Sequence, residues 1–164
     1  MPEIIVIVHN IRSTHNVGAI FRTCEGFGIR KLILSGYTPY PRLAKDTRLP
    51  HIVEKLTNQI HKTALGAELL VPFQHQEALD LSLVRSEGYQ IVGLEQDKKA
   101  TLLHKYIVPP KLALLIGEEV EGIEQSLRNQ CDDLIEIPMI GQKESFNVSV
   151  AMGIALYGLC YPPK

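Results

Sequence analysis

The sequence predicts an α/β fold, one domain with a mostly parallel sheet flanked by helices. Three observations carry this. Strand-like and helix-like stretches alternate along the chain, with no repeat, linker or low-complexity tract. The runs Glu3 to Val8 and Leu112 to Ile116 are apolar without alternation, which suits strands covered on both faces. Polar, glycine-bearing turns follow strand-like runs at Gly117 and Gly141, the position where α/β proteins place ligands.

Each element follows from its residues. Glu3 to Val8 is a β-branched strand. The polar segment His9 to His15 leads into a helix from Asn16, where Val17, Ile20, Phe21 and Cys24 fall at helical spacing and Gly26 provides a stop. Arg30 to Ser35 reads as a second strand. Gly36 to Lys45 holds two prolines and two tyrosines and reads as a loop, the kind of segment that often carries function. A helix is expected over Leu49 to Leu65, with Ile52, Leu56, Ile60 and Ala64 inward, then a short strand over Leu69 to Phe73. Gln76 to Ser86 reads as a helix with Leu79, Leu83 and Val84 inward, ended by Gly88. Tyr89 to Leu94 is a strand, and Glu95 to Thr101 is polar. After Pro109-Pro110 come the strand Lys111 to Ile116, the turn Gly117 to Gly122 and a short helix over Ile123 to Asn129. The strand Leu134 to Ile137 ends at Pro138, and a polar loop leads to the last helix. There Val148, Val150, Met152, Ile154, Leu156 and Leu159 leave no broad polar face, so the helix needs burial or a partner.

Composition narrows the function classes. At 45% hydrophobic and 21% charged residues the chain is an ordinary globular protein, long enough for one core. No apolar run approaches a membrane span, and Ile4 to Val8 lacks the flanks of a signal peptide. Cys24, Cys131 and Cys160 sit in apolar contexts and form no closed disulfide set, which fits a reducing, cytoplasmic compartment. The histidines show no metal-ligand spacing, so no metal is expected, and there is no GxSxG nucleophile elbow. The net charge of −1 hides an asymmetry. Between Asn10 and Arg48 basic residues dominate, whereas between Gly117 and Glu136 acidic ones do. The basic segment is either an electrostatic footprint for phosphates or a set of solvated surface charges.

Three constellations carry candidate chemistry. A helix starting near Asn16 presents free N–H groups, and Arg22 lies one to two turns on, outside the apolar stripe. The plainer reading is a cap and a surface arginine. In Leu112 to Ile123 a hydrophobic strand runs into Gly117 and Gly122 flanking three glutamates. Gly117 lets a ligand approach the backbone, although an acidic tight turn explains the same residues. It is neither a P-loop nor GxGxxG. In Ile137 to Leu159 a loop with Gly141, Lys143, Ser145 and Asn147 precedes the apolar helix, which reads as a ligand loop joined to an interface.

In this order the three constellations resemble the signature motifs of the SpoU (TrmH-type) RNA ribose methyltransferases of the SPOUT superfamily. The first motif is HNVGAIFRTCEGFG, His15 to Gly28; the second is G-x-E-x-x-G at Gly117, Glu119 and Gly122; the third is IPM-x-G-x-x-x-S-x-NVSVA, Ile137 to Ala151. The resemblance spans nearly the whole chain, and the third motif is long and specific. It implies an α/β domain whose C-terminal part is threaded into a trefoil knot, a homodimer, and S-adenosylmethionine held in the knot loops. Cofactor contacts carry over onto Gly117, Ile137 and Phe146, with Leu94, Glu95 and Met139 nearby. Catalytic or substrate positions carry over onto Asn16, Arg22, Glu119, Ser145 and Asn147. Phe146 stands where the family usually has Leu, and Glu118 adds an acid beside Glu119.

The implied activity is S-adenosylmethionine-dependent methylation of an RNA ribose 2′-hydroxyl, with tRNA expected ahead of rRNA. The alternatives are a knotted base methyltransferase, a non-catalytic RNA-binding protein that kept the fold, and a flavodoxin-like nucleotide binder, which would explain the α/β alternation but none of the motifs. Residues 1–164 are expected to form a single domain without an appended RNA-binding domain, so RNA recognition falls to the core itself. Guanidinium, with a pKa above about 12, is a poor base, which favours Arg22 as a phosphate clamp and alkoxide stabiliser.

Overall fold

The computed structural model describes residues 1–162. Its strands are β1 (Glu3–His9), β2 (Lys31–Ser35), β3 (Phe73–Gln76), β4 (Gln90–Leu94), β5 (Thr101–Leu102), β6 (Lys111–Ile116) and β7 (Asp133–Glu136). They form one seven-stranded sheet in the order β3-β2-β1-β6-β4-β7-β5, with every pairing parallel. The helices are α1 (Thr14–Gly26), α2 (Pro50–Ala64), α3 (Leu81–Ser86), α4 (Gln125–Arg128) and α5 (Val148–Cys160).

The unbroken apolar strands are buried on both faces, as their composition requires. In β1, Ile4, Val6 and Val8 join one core cluster, which holds Val17, Phe21 and Cys24 of α1, Ile60 of α2, and Met152 and Leu156 of α5. Ile5 and Ile7 point the other way, to Leu81 and Val84 of α3 and to Ile123 and Leu127 at α4. The result is a three-layer domain.

Four expectations shift, each for a local reason. The strand expected at Leu69 to Phe73 is instead a 3₁₀ turn over Ala67–Leu69, and β3 begins only at Phe73. The buried Glu68 accepts from the Gly66 N–H at 3.0 Å and bonds His61, which bends the chain there and leaves Leu69 and Leu70 exposed. The third helix begins at Leu81 rather than Gln76, because the Asp80 carboxylate caps the Ser82 N–H at 2.9 Å. Leu81 and Val84 are then inward and Leu83 is exposed. In α2 the inner residue of the first turn is Val53, not Ile52. The helix at Asn16 starts earlier, with Ser13 as its cap, so Asn16 lies inside the first turn.

The strand order places β6 between β1 and β4, and β7 between β4 and β5. The chain therefore leaves β4, passes to the far side of β7 as β5, and returns to the centre of the sheet as β6. On this route Leu103 packs against α5 at Gly158.

Candidate functional site

An open cleft of about 310 Å³ lies at the carboxyl ends of β4, β6 and β7, beside the first turn of α5. Its floor is the turn Gly117 to Ile123. Glu118 N–H donates to the Gly122 carbonyl at 3.1 Å, and Gly122 N–H returns a bond to the Glu118 carbonyl at 2.9 Å. A Cβ at Gly117 would overlap the backbone of Gly122, so only glycine fits. Gly122 has φ 69, and a Cβ there would overlap the Glu95 carboxylate. That carboxylate is a strut: Oε2 accepts from Ile123 N–H at 2.7 Å and Oε1 from Gln96 N–H at 3.0 Å.

One side of the cleft carries a hydrogen-bonded relay. Asn147 caps α5, its Oδ1 accepting from Ser149 N–H at 3.0 Å and Val150 N–H at 3.4 Å. Its Nδ2 donates to Asn16 Oδ1 at 3.2 Å, and Asn16 Nδ2 donates to Glu119 Oε1 at 3.1 Å. Asn147, Asn16 and Glu119, one from each motif, are thus joined. Glu119 must accept from Asn16, which fixes the Asn16 amide and leaves its oxygen to accept from Asn147.

The other expected residues divide. Leu94, Glu95, Gly117, Ile137, Ser145 and Phe146 line the cleft. Met139 is half-buried and does not. Arg22 is exposed on α1 and stands apart from the cleft, lining a depression with Glu25, Leu65, Leu69 and Leu70. Among the described residues it makes no ion pair or side-chain hydrogen bond. Sequence reasoning missed Gln96, whose Nε2 donates to the Glu144 carbonyl at 2.8 Å and ties the 137–147 segment to the end of β4. Its position after a strand's carboxyl end was the available signal. It also missed Arg12, whose guanidinium pairs with Glu118 at 3.1 Å.

Glu95, Glu118, Glu119, Glu121, Glu136 and Glu144 line the cleft, and among the described residues no lysine or arginine does. The cleft is therefore anionic. It suits a cationic ligand and disfavours the phosphates of a nucleotide or flavin cofactor. The basic segment is dispersed by the fold. Arg30 pairs with Glu3, and Lys31 with Glu87, at the amino ends of the strands. Arg48 pairs with Asp46, donates to the Tyr40 and Pro41 carbonyls, and covers the Tyr40 ring. Hydrogen bonding from Arg48 holds the Asp46 carboxyl well below its usual range. Cys24 and Cys160 are buried, and burial pushes all three thiols up, Cys131 to about 11. They are packed thiols rather than nucleophiles. Among the described residues no group of three metal-binding side chains is gathered, and no helix is long and apolar enough to cross a membrane.

A family model described as the SpoU rRNA Methylase family matches residues 3–157. The 23S rRNA (guanosine-2′-O-)-methyltransferase RlmB of Coxiella burnetii is 31% identical over 95% of this chain and 57% of its own length. An uncharacterized tRNA/rRNA methyltransferase of Synechocystis is 33% identical, over 94% of this chain and 37% of its own. The chain spans about half the length of the curated relatives it matches. Among solved structures, the A. aeolicus TrmH/SpoU tRNA modifying enzyme superposes with a TM-score of 0.77 at 25% identity, over 98% of this chain and 75% of that one. The AdoMet-bound rRNA methyltransferase from Sinorhizobium meliloti shares the fold, with a TM-score of 0.77 at 22% identity, over 96% and 55%.

Proposed function

The chain belongs to the SpoU rRNA methylase family, and on that premise we propose that it transfers a methyl group from S-adenosylmethionine to a ribose 2′-hydroxyl of RNA. The observation that carries the reading is the Asn147–Asn16–Glu119 relay bordering an anionic cleft at the strand ends. The names of the curated relatives favour rRNA over the tRNA expected from the sequence, and we take rRNA as the substrate class.

The cleft's chemistry fits the cofactor. S-adenosylmethionine supplies an activated methyl on a sulfonium cation, and an acid-lined site attracts that charge. Gly117, Ile137 and Phe146, which line the cleft, would hold the adenine. Leu94 and Glu95 close the side at the end of β4. The relay holds Asn16 and Asn147 in one orientation beside Ser145, which positions the ribose for in-line attack. Arg22 clamps the adjacent phosphate and stabilises the developing alkoxide.

That role requires Arg22 to reach a cleft it does not line in its own chain. We assign it to the cleft of a second copy. The face of α5 carrying Val150, Ile154 and Tyr157 is exposed, as is Tyr161 just after the helix, and Thr23, beside Arg22, lies against Gly153 of α5. A homodimer on this face buries the apolar residues and carries α1 to the partner. The passage of the chain from β4 to the far side of β7 and back to β6 is in keeping with the trefoil knot in the same reading. The packed thiols are in keeping with a cytoplasmic setting.

Tritium transfer from labelled cofactor to undermodified bulk RNA, followed by nucleoside analysis, tests the activity. The expected product is a 2′-O-methylnucleoside in rRNA; label on base atoms alone would overturn the ribose assignment. Mixing Arg22→Ala with Asn147→Asp protein tests the shared site. Each alone is expected to keep about one hundredth of wild-type activity or less, and the random mixture should recover about a quarter of wild-type activity through mixed dimers with one intact cleft. No recovery would place Arg22 and Asn147 in the same subunit's site.

A further inference from the structure

Beside the cleft mouth stands an aromatic side chain that the fold holds still without burying. Tyr37 follows the carboxyl end of β2 and is 51% exposed. Its backbone is fixed from two directions. Asn10 adopts the left-handed conformation, φ 58, which asparagine tolerates better than most residues, and its Oδ1 accepts from the Tyr37 N–H at 3.2 Å. Gly36 is also left-handed, φ 64, and a Cβ there would overlap the Asn10 carboxamide. On the other side the buried Thr38 hydroxyl donates to the Ser35 carbonyl at 2.7 Å and accepts from Ile11 N–H at 3.1 Å. The loops after β1 and β2 are thereby laced together under an outward-facing ring. Packing does not require that half-exposed ring, although the backbone beneath it is tied from both sides.

The second component is Arg12. Its guanidinium lies 5.5 Å from the centre of the Tyr37 ring and pairs with Glu118, a residue of the cleft wall, at 3.1 Å. The Arg12 side chain is 74% exposed and that of Glu118 12%, so the guanidinium end of the pair faces solvent and is open to a second anion. An exposed ring beside an exposed guanidinium is a combination that takes single-stranded nucleic acid, with a base on the π-face and a phosphate on the cation.

We propose that Tyr37 and Arg12 form a nucleotide subsite at the cleft mouth: the open face of Tyr37 stacks a base of the substrate RNA, and the solvent-facing side of the Arg12 guanidinium takes a neighbouring phosphate while keeping Glu118. The subsite rests on the proposed RNA methylation. It supplies a substrate contact beside a cleft whose acidic lining repels the phosphate backbone, and it admits RNA to the relay through Arg12 and Asn16, which meet the adjacent Glu118 and Glu119.

The test uses the full chain saturated with S-adenosylhomocysteine and a fluorescein-labelled, mixed-sequence single-stranded RNA of about 20 nucleotides, read by fluorescence anisotropy. Tyr37→Leu is expected to weaken binding about tenfold, and Tyr37→Phe to stay within about twofold of wild type. Arg12→Ala should lower the salt slope by about one phosphate contact. Ultraviolet cross-linking should attach a nucleotide to the peptide holding Tyr37. Tyr37→Leu binding as tightly as wild type, with an unchanged melting temperature, would overturn the subsite. If wild type methylates bulk RNA and Tyr37→Leu keeps its KM for that RNA, the subsite falls and the activity stands. If wild type neither binds this RNA nor transfers methyl, the activity falls and the subsite with it.

Discussion

The turn Gly117 to Ile123 is closed by two backbone hydrogen bonds and the Glu95 strut, whereas the segment 137–147 forms the opposite wall of the same cleft with far less support. Before Asn147, the second wall is tied among the described residues by the Gln96 side chain to the Glu144 carbonyl. Ile140 is fully exposed, and Gly141 to Asn147 are exposed throughout. One wall is fixed before any ligand arrives, and the other gains its order from the cap at Asn147 and from what it encloses. Ligand-dependent change is expected on the compliant side, where few contacts must break.

The largest expected effect is on the fixed wall. Gly117→Ala forces a methyl into the Gly122 backbone, which cannot move without breaking the Glu118–Gly122 bridge and the Glu95 strut. Urea unfolding should show a loss of about 3 kcal/mol, with cofactor binding by calorimetry abolished. An unchanged midpoint would show that this wall yields.

Asn147 tests the junction of the compliant wall with α5. Asn147→Ala removes the cap and should cost about 1 kcal/mol. Asn147→Asp keeps an oxygen for the Ser149 and Val150 N–H groups and adds favourable charge at the helix start, so stability should hold. It cannot donate to Asn16 Oδ1, and methyl transfer is expected to fall about 100-fold. Activity intact in the aspartate variant would reduce the relay to a structural tie.

Gln96→Leu should cost less, about 1 kcal/mol or below, because it frees a carbonyl that water can satisfy. Its signature is faster amide exchange in 141–146 with 117–123 unchanged. Equal acceleration in both would show that the walls move as one. At the small end, Ile140→Ser should alter stability by no more than about 0.5 kcal/mol, since the side chain is fully exposed.

Legibility along the chain followed the same division. The strands β1 and β6 were plain because their residues are apolar at every step, and the fold buries alternate ones on opposite faces. The strand β5 has two residues, Thr101–Leu102, too short to show any period. The turn at Ala67–Leu69 was misread as a strand because Leu69, Leu70 and Val71 look β-like, while the bend comes from the Glu68 carboxylate and Gly66. Within the site, Leu94, Glu95, Gly117, Ile137 and Phe146 line the cleft and Met139 does not, while Gln96, Ile116 and Glu136, also at strand ends, line it without having been singled out.

The sequence by itself determined the α/β class, the parallel sheet and the three segments that meet at the site, because hydrophobic period, caps and glycine positions are local properties. The tertiary structure alone decided that Asn16, Glu119 and Asn147 share hydrogen bonds across separations of 103 and 131 positions. It also scattered the basic segment between the two ends of the sheet, gathered the acidic residues around one cleft, and set Arg22 away from it. Those are matters of strand order and helix direction, and charge or spacing along a chain carries no record of which ends of which strands lie side by side.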